Sequence, residues 1–202
     1  MLKKMKQLKK IWDFLWKDDS IWSWIVSLLL AFIIVKFVFF PLLSLAFATK
    51  LPLVVIESGS MHHSGSFFGN VLGLERNFEL WWNENGEWYE KKGINKSVAA
   101  KWKFRTGMEM GDIILVSGWD KKLEIGDVII FNANSRHPII HRIIKIDKKN
   151  NEKIYSTKGD DNEEQLISEK EIKENAVLGK AIFKIPKLGW IKLEFVKLLG
   201  IV

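Results

Sequence analysis

The run from Ile21 to Thr49, IWSWIVSLLLAFIIVKFVFFPLLSLAFAT, carries one charged side chain, Lys36. About 20 apolar residues let a helix cross ~30 Å of hydrocarbon, so the stretch predicts a membrane-spanning helix. With the hydrocarbon part placed from Ile21 to Pro41, Lys36 lies within about a turn and a half of the far end and its amine reaches the interface. At the bilayer centre it would cost ~3 kcal/mol. Trp12, Trp16, Trp22 and Trp24 form an aromatic belt on the near side, and five lysines among the first ten residues favour a cytoplasmic N-terminus. The remainder is then expected outside, as the extracytoplasmic part of a single-pass protein of the cell membrane. AFA at 46 to 48 has the form of a signal-peptide cleavage site, so cleavage after Ala48 is the competing reading. The apolar run exceeds the ~7–15 residues of a signal peptide's apolar region, which favours an uncleaved anchor.

The formal charge of +7 is uneven: the first fifty residues hold eight lysines and three aspartates, leaving +2 for the remaining 152. A nucleic-acid-binding domain would cluster its basic residues on the folded part, so no nucleic-acid partner is expected and membrane lipid is. There is no cysteine, which excludes disulfides, thiol catalysis and thiolate zinc sites. Nothing in the pattern asks for a cofactor or a metal.

Beyond Lys50 the pattern changes to short strands: LPLVVIE, GDIILVSG, GDVIIFNA, HPIIHRIIKI, KIYSTKGD and AVLGKAIFKIP. Strands at this spacing, separated by turn residues, predict a mainly β domain, a barrel or folded sheet. The expected organisation is a basic N-terminus over 1–20, an anchor over 21–48, a β-rich domain over 49–61 and 108–187, an insert over 62–107 and an amphipathic tail over 188–202. The insert, rich in aromatics around WWNENGEWY, reads as a partly helical subdomain burying its tryptophans on itself. The competing expectation makes Trp81, Trp82, Trp88 and Tyr89 an interfacial foot on the membrane.

Chemistry enters with ESGSMHH at 57 to 63. A serine nucleophile needs a base in hydrogen-bond reach, a group orienting that base, and oxyanion donors. Ser60 follows a strand and Gly59, expected to let the chain turn tightly and expose the side chain. His62 and His63 are poorly placed to turn back on a serine in their own loop, and His137 precedes a proline. His141 lies inside IIHRIIKI, where alternation groups Ile139, His141 and Ile143 on one face and Ile140, Arg142 and Ile144 on the other. A partly desolvated histidine there is either a hydrogen-bonded core residue or an available base. STKGDDN ends a later strand in a turn with Asp160 and Asp161.

Together and in order, the anchor, ESGSM, GDIILV, GDVIIF, HRI, TKGDDN and GKAIF resemble type I signal peptidases of the archaeal and endoplasmic-reticulum branch. That resemblance implies a signal-peptidase-like β domain and a serine endopeptidase acting on secretory preproteins. It makes Ser60 the nucleophile, His141 the general base, Asp160 the acid, and Ser58 with the Ser60 N–H the oxyanion donors. Leu53, Val54, Val55 and Ile56 would be the strand that pairs with substrate. Two positions depart from the pattern: SMHH lacks the usual proline, and Leu166 stands where a second aspartate is common, so Asp161, Glu163 or Glu164 are alternative acids. A self-cleaving repressor-type protease is disfavoured by the anchor and by histidine in place of lysine. A membrane-anchored β domain that binds peptides or assembles without cutting is the alternative of another class. The sequence does not specify accessory subunits.

Overall fold

The computed structural model describes residues 2–63, 75–120, 122–133, 137–198 and 200; residues 64–74 of the expected insert and 199, 201 and 202 of the tail lie outside these. Two compact units emerge, Met1–Ala46 and Phe47–Val202.

In the first unit, helix α1 (Leu2–Lys17) precedes α2 (Ile21–Ile34). Ser20 caps α2 by accepting from the Ser23 N–H, and the Ser23 hydroxyl donates to the Phe14 carbonyl at 2.5 Å, tying α2 back to α1. The helix continues through a π-helical turn, Val35–Phe39, into α3 (Phe40–Ala46). Pro41 has no N–H for the carbonyl of Phe37 and its ring crowds that carbonyl; the helix widens at this point. From Ile21 to Ala46 it runs 26 residues, about 39 Å at 1.5 Å per residue. It is long and apolar enough to cross a membrane. The Lys36 amine lies over the rings of Phe32 and Phe37, 5.7 and 5.4 Å from their centroids.

The second unit is built on one curled antiparallel sheet of seven strands: β1 (Leu53–Val55), β2 (Ile113–Ser117), β3 (Val128–Phe131), β4 (Ile139–Lys149), β5 (Glu152–Lys158), β6 (Ile172–Lys173) and β7 (Val177–Ile185). Their order across the sheet is β1-β2-β7-β3-β4-β5-β6. The two Gly-Asp turns share one geometry. Gly111 and Gly126 take φ of +86° and +97°, a region open to glycine, while Asp112 and Asp127 each accept the N–H three residues upstream at 2.9 Å. Alternation along β4 sends Ile139 and Ile143 into a cluster with Phe131 and Tyr155, and Ile140 and Ile144 to the other side.

The described part of the insert holds helix α4 (Glu75–Glu90) and the short α5 (Lys96–Ala99). Phe78, Trp81, Trp82, Tyr89 and Trp102 bury one another together with Ile144 of β4. Trp81, Trp82 and Tyr89 are buried and Trp88 half-buried beneath the amines of Lys92 and Lys158, which corrects the expectation of a membrane-facing foot. The tail forms helix α6 (Trp190–Leu198), with the Trp190 ring against Gly111 and Lys192 paired to Glu57 at 2.8 Å.

The Trp102 ring sets the test of this packing, because a Cβ on Gly126 would sit 2.1 Å from it at a left-handed φ. Gly126→Ala is expected to lower stability by about 2–3 kcal/mol, read from the urea midpoint. An unchanged midpoint would mean that the insert does not rest on this turn.

Candidate active site

The segment carrying Ser60 is gripped on both sides. Ile56 exchanges main-chain hydrogen bonds with Asp112 and Gly111, and Met61 accepts from the Met108 N–H. The Asp161 N–H donates to the Ser60 carbonyl at 2.9 Å. A Cβ on Gly59 would meet nothing within 4 Å, so the turn does not need glycine there for space.

His141 reaches across to this segment from β4. Its Nε2 lies 2.9 Å from Ser60 Oγ, and its Nδ1 is hydrogen-bonded to the Glu169 carboxylate. Glu169 is fully buried on a 3-10 turn, Ile167–Glu169, between β5 and β6. One of its oxygens accepts from Thr157 Oγ1 at 3.0 Å and the other from the Leu166 N–H at 2.8 Å. Three donors thus hold this carboxylate and aim it at the imidazole. Ser58 Oγ lies 3.2 Å from Ser60 Oγ on the exposed side.

Asp160, the acid expected from the sequence, faces elsewhere. Its carboxylate accepts from Arg142 Nε and Nη2 at 2.8 and 2.6 Å, from Tyr89 Oη at 3.2 Å and pairs with His63 Nε2 at 2.9 Å. The alternatives fare no better: Asp161 offers its main-chain N–H to Ser60, while Glu163 and Glu164 are exposed. Leu166 supplies only a main-chain donor to Glu169.

Burial alone would raise the Asp160 carboxyl; the Arg142 guanidinium, with His63, outweighs it and holds the group well below the usual carboxylate range. For His63 burial dominates and pushes the imidazole down, against the pull of Asp160. Burial drives the Tyr89 phenol well up, so it stays a donor, and pushes the Lys158 amine down.

Among the described residues no group of three acidic or histidine side chains is placed to hold a metal. A cavity of about 510 Å³ beside Asp120, Glu174 and Lys180 touches none of Ser60, His141 and Glu169.

The expected substrate strand divides by parity. Val116 N–H donates to Pro52 and Ile56 N–H to Asp112, with Val54 opposite Ile114 between them. Residues 52, 54 and 56 therefore turn their main-chain groups to β2, and Leu53 and Val55 turn theirs outward. β1 is an edge strand with no neighbour on that side among the described residues.

A serine–histidine–carboxylate relay on an antiparallel sheet defines a class of site known from hydrolases. No protein-family model matches the chain. Its likeness is to a peptidase family: it resembles "Signal peptidase complex catalytic subunit SEC11" of Yarrowia lipolytica, 33% identical over 55 residues, 27% of this chain and 32% of that protein. The protein of the same name in Komagataella phaffii is 30% identical over 95 residues, 41% of this chain and 56% of the relative. That of Scheffersomyces stipitis is 27% identical over 90 residues, 41% and 54%. The chain thus spans about a third to just over half of the relatives it matches, the endoplasmic-reticulum branch of type I signal peptidases.

Sequence reasoning missed Glu169, and set His63 aside as a base without finding its pairing with Asp160. Glu169 reaches His141 because a 3-10 turn, nine residues beyond Asp160, folds it back, and alternation does not mark such a turn. His63 could have been found only by knowing that the insert closes over it.

The direction of the two shifts fixes a pH dependence. An unfolded chain binds a proton on His63 below its ordinary value near 6.5, and on Asp160 below about 4, where the folded chain does not. Stability is therefore complete above both values and declines as pH falls through each window in turn. Urea unfolding of the full chain across pH 2.5 to 7.5 should show the upper decline weakened in His63→Gln and the lower one in Asp160→Asn. Unchanged slopes in both variants would remove these groups from the acid response.

Proposed function

We propose that the chain is a membrane-anchored serine endopeptidase that removes signal peptides from secretory preproteins. The observation that carries the reading is the His141 ring, bonded on one side to Ser60 and on the other to Glu169. Partial likeness to signal peptidase catalytic subunits supports the substrate class.

In the proposed reaction His141 Nε2 takes the Ser60 proton as Oγ attacks the peptide carbonyl, then returns it to the departing amine. Glu169 accepts the Nδ1–H bond, holds the tautomer that leaves Nε2 free to act as base, and stabilises the imidazolium. Ser58 Oγ and the Ser60 N–H serve the oxyanion, each donor worth ~3 kcal/mol in comparable sites. The substrate adds as a strand on the open edge of β1, bonding to Leu53 and Val55, so that alternate side chains turn towards the protein. The 26-residue apolar helix would hold the domain at the outer face of the cell membrane, where preproteins emerge.

Purified full-length protein in detergent, given a preprotein, is the test. Ser60→Ala and His141→Ala should each abolish cleavage while preserving the fold. Glu169→Gln should lower kcat by ~10²–10⁴ and move the acid limb of the pH–rate profile. Cleavage by Ser60→Ala, or none by the wild type, defeats the reading.

A further inference from the structure

The TKGD aspartate and the second histidine after Ser60 take no part in the relay, yet both are fully buried beside it. We propose that His63 and Asp160 form a positioning clamp, which locks the turn bearing Ser60 to the turn after β5 and takes the insert as its outer jaw. The clamp rests on the reading of Ser60 and His141 as nucleophile and base.

Two attachments define it. The Ser60 carbonyl accepts from the Asp161 N–H at 2.9 Å; three residues later, His63 Nε2 pairs with Asp160 Oδ2 at 2.9 Å. Residues 60 to 63 are thereby fastened at both ends to consecutive residues, 160 and 161. The intervening turn is closed by the His62 N–H on the Gly59 carbonyl at 2.8 Å. Gly159 completes the contact: a Cβ there would lie 2.7 Å from the Ser60 carbonyl oxygen and 2.8 Å from His141 Nε2. One turn thus touches both the main chain of the nucleophile and the ring of the base, so a displacement of Asp160 alters the line between them.

What holds Asp160 is the neighbour of the base and the insert. Arg142, next to His141, grips the carboxylate and sends its remaining donors to the carbonyls of Gly126, Lys103 and Phe104. From α4, Tyr89 donates to Asp160 Oδ1 and Trp81 Nε1 donates to the Asp160 carbonyl at 3.1 Å. The Trp81 ring lies flat on His63, centroids 4.1 Å apart and planes within 2°. On another side, a Cβ on Gly107 would be 2.7 Å from the His63 ring. His63 cannot leave Asp160 without moving the insert.

The role is positional, because a misplacement of ~1 Å at a reacting centre can cost ~10² in rate. The full-length chain in detergent is compared with His63→Ala, His63→Gln, Asp160→Asn and Glu169→Gln, by amide hydrogen exchange and by kcat, KM and pH profile on a preprotein. His63→Ala should raise exchange over residues 56 to 63 about tenfold or more and lower kcat ~10²-fold with KM within about threefold. The acid limb should stay where it is. In His63→Gln an amide nitrogen stands in for Nε2, so at least about tenfold of the lost kcat should return. Glu169→Gln should leave the exchange untouched. Wild-type exchange over 56 to 63 in His63→Ala overturns the clamp; so does an acid limb that moves in Asp160→Asn as it does in Glu169→Gln. Should Asp160→Asn fail to fold, the two His63 variants decide. If the wild type cleaves nothing, the peptidase reading fails while the exchange data still judge the clamp.

Discussion

The curl of the sheet is the constraint on which the rest depends. Ser60 follows β1 at one edge, and His141 sits on β4, with β2, β7 and β3 between them in the order of the sheet. Four strand spacings of ~4.8 Å would set them about 19 Å apart on a flat sheet, yet their side chains are hydrogen-bonded. Strand twist begins the closure, and irregular registers within β2–β7, β3–β7 and β4–β5 add local bends. The bond from Asp161 to Ser60 then ties the far turn to the edge segment. Core filling follows from this closure: one apolar cluster forms on one side of β4 and two on the other, the second of them made largely by the insert.

Two buried acids, one on His141 and one on His63, are kept apart by what surrounds them. Asp160 has a guanidinium as its counter-charge, whereas Glu169 has only a hydroxyl and a main-chain N–H besides the imidazole. A carboxylate already paired with arginine has little left to offer a second cation; one held by neutral donors has no other counter-charge. The separation is enforced by alternation: Arg142 and His141 are successive residues of one strand, so their side chains leave on opposite faces. Burying Arg142 is costly unless every donor is used, and the carbonyls of Gly126, Lys103 and Phe104 use them.

What was legible in the sequence was whatever local periodicity encodes. The apolar helix, the strand series and the division of β4 into a histidine face and an arginine face all follow from repeats of 3.6 or 2 residues. β6, two residues long, and the 3-10 turn bearing Glu169 are too short to have a period. The choice between Asp160 and Glu169 depends on Tyr89, Trp81 and His63, which reach Asp160 from 71, 79 and 97 residues away in the chain. Composition likewise could not say whether the insert's tryptophans faced lipid or one another, since a half-apolar ring suits either setting.

The parity of β1 has a consequence for how any added strand is read. Within β1, and among the described residues, Leu53 and Val55 have main-chain groups to spare, so a peptide on that edge keeps both its bonds and its facing when it slides by two residues. A one-residue slip either loses those bonds or, with the peptide turned over to regain them, sends every side chain to the opposite face. For any strand added there, the edge would act as a reading frame that counts in steps of two.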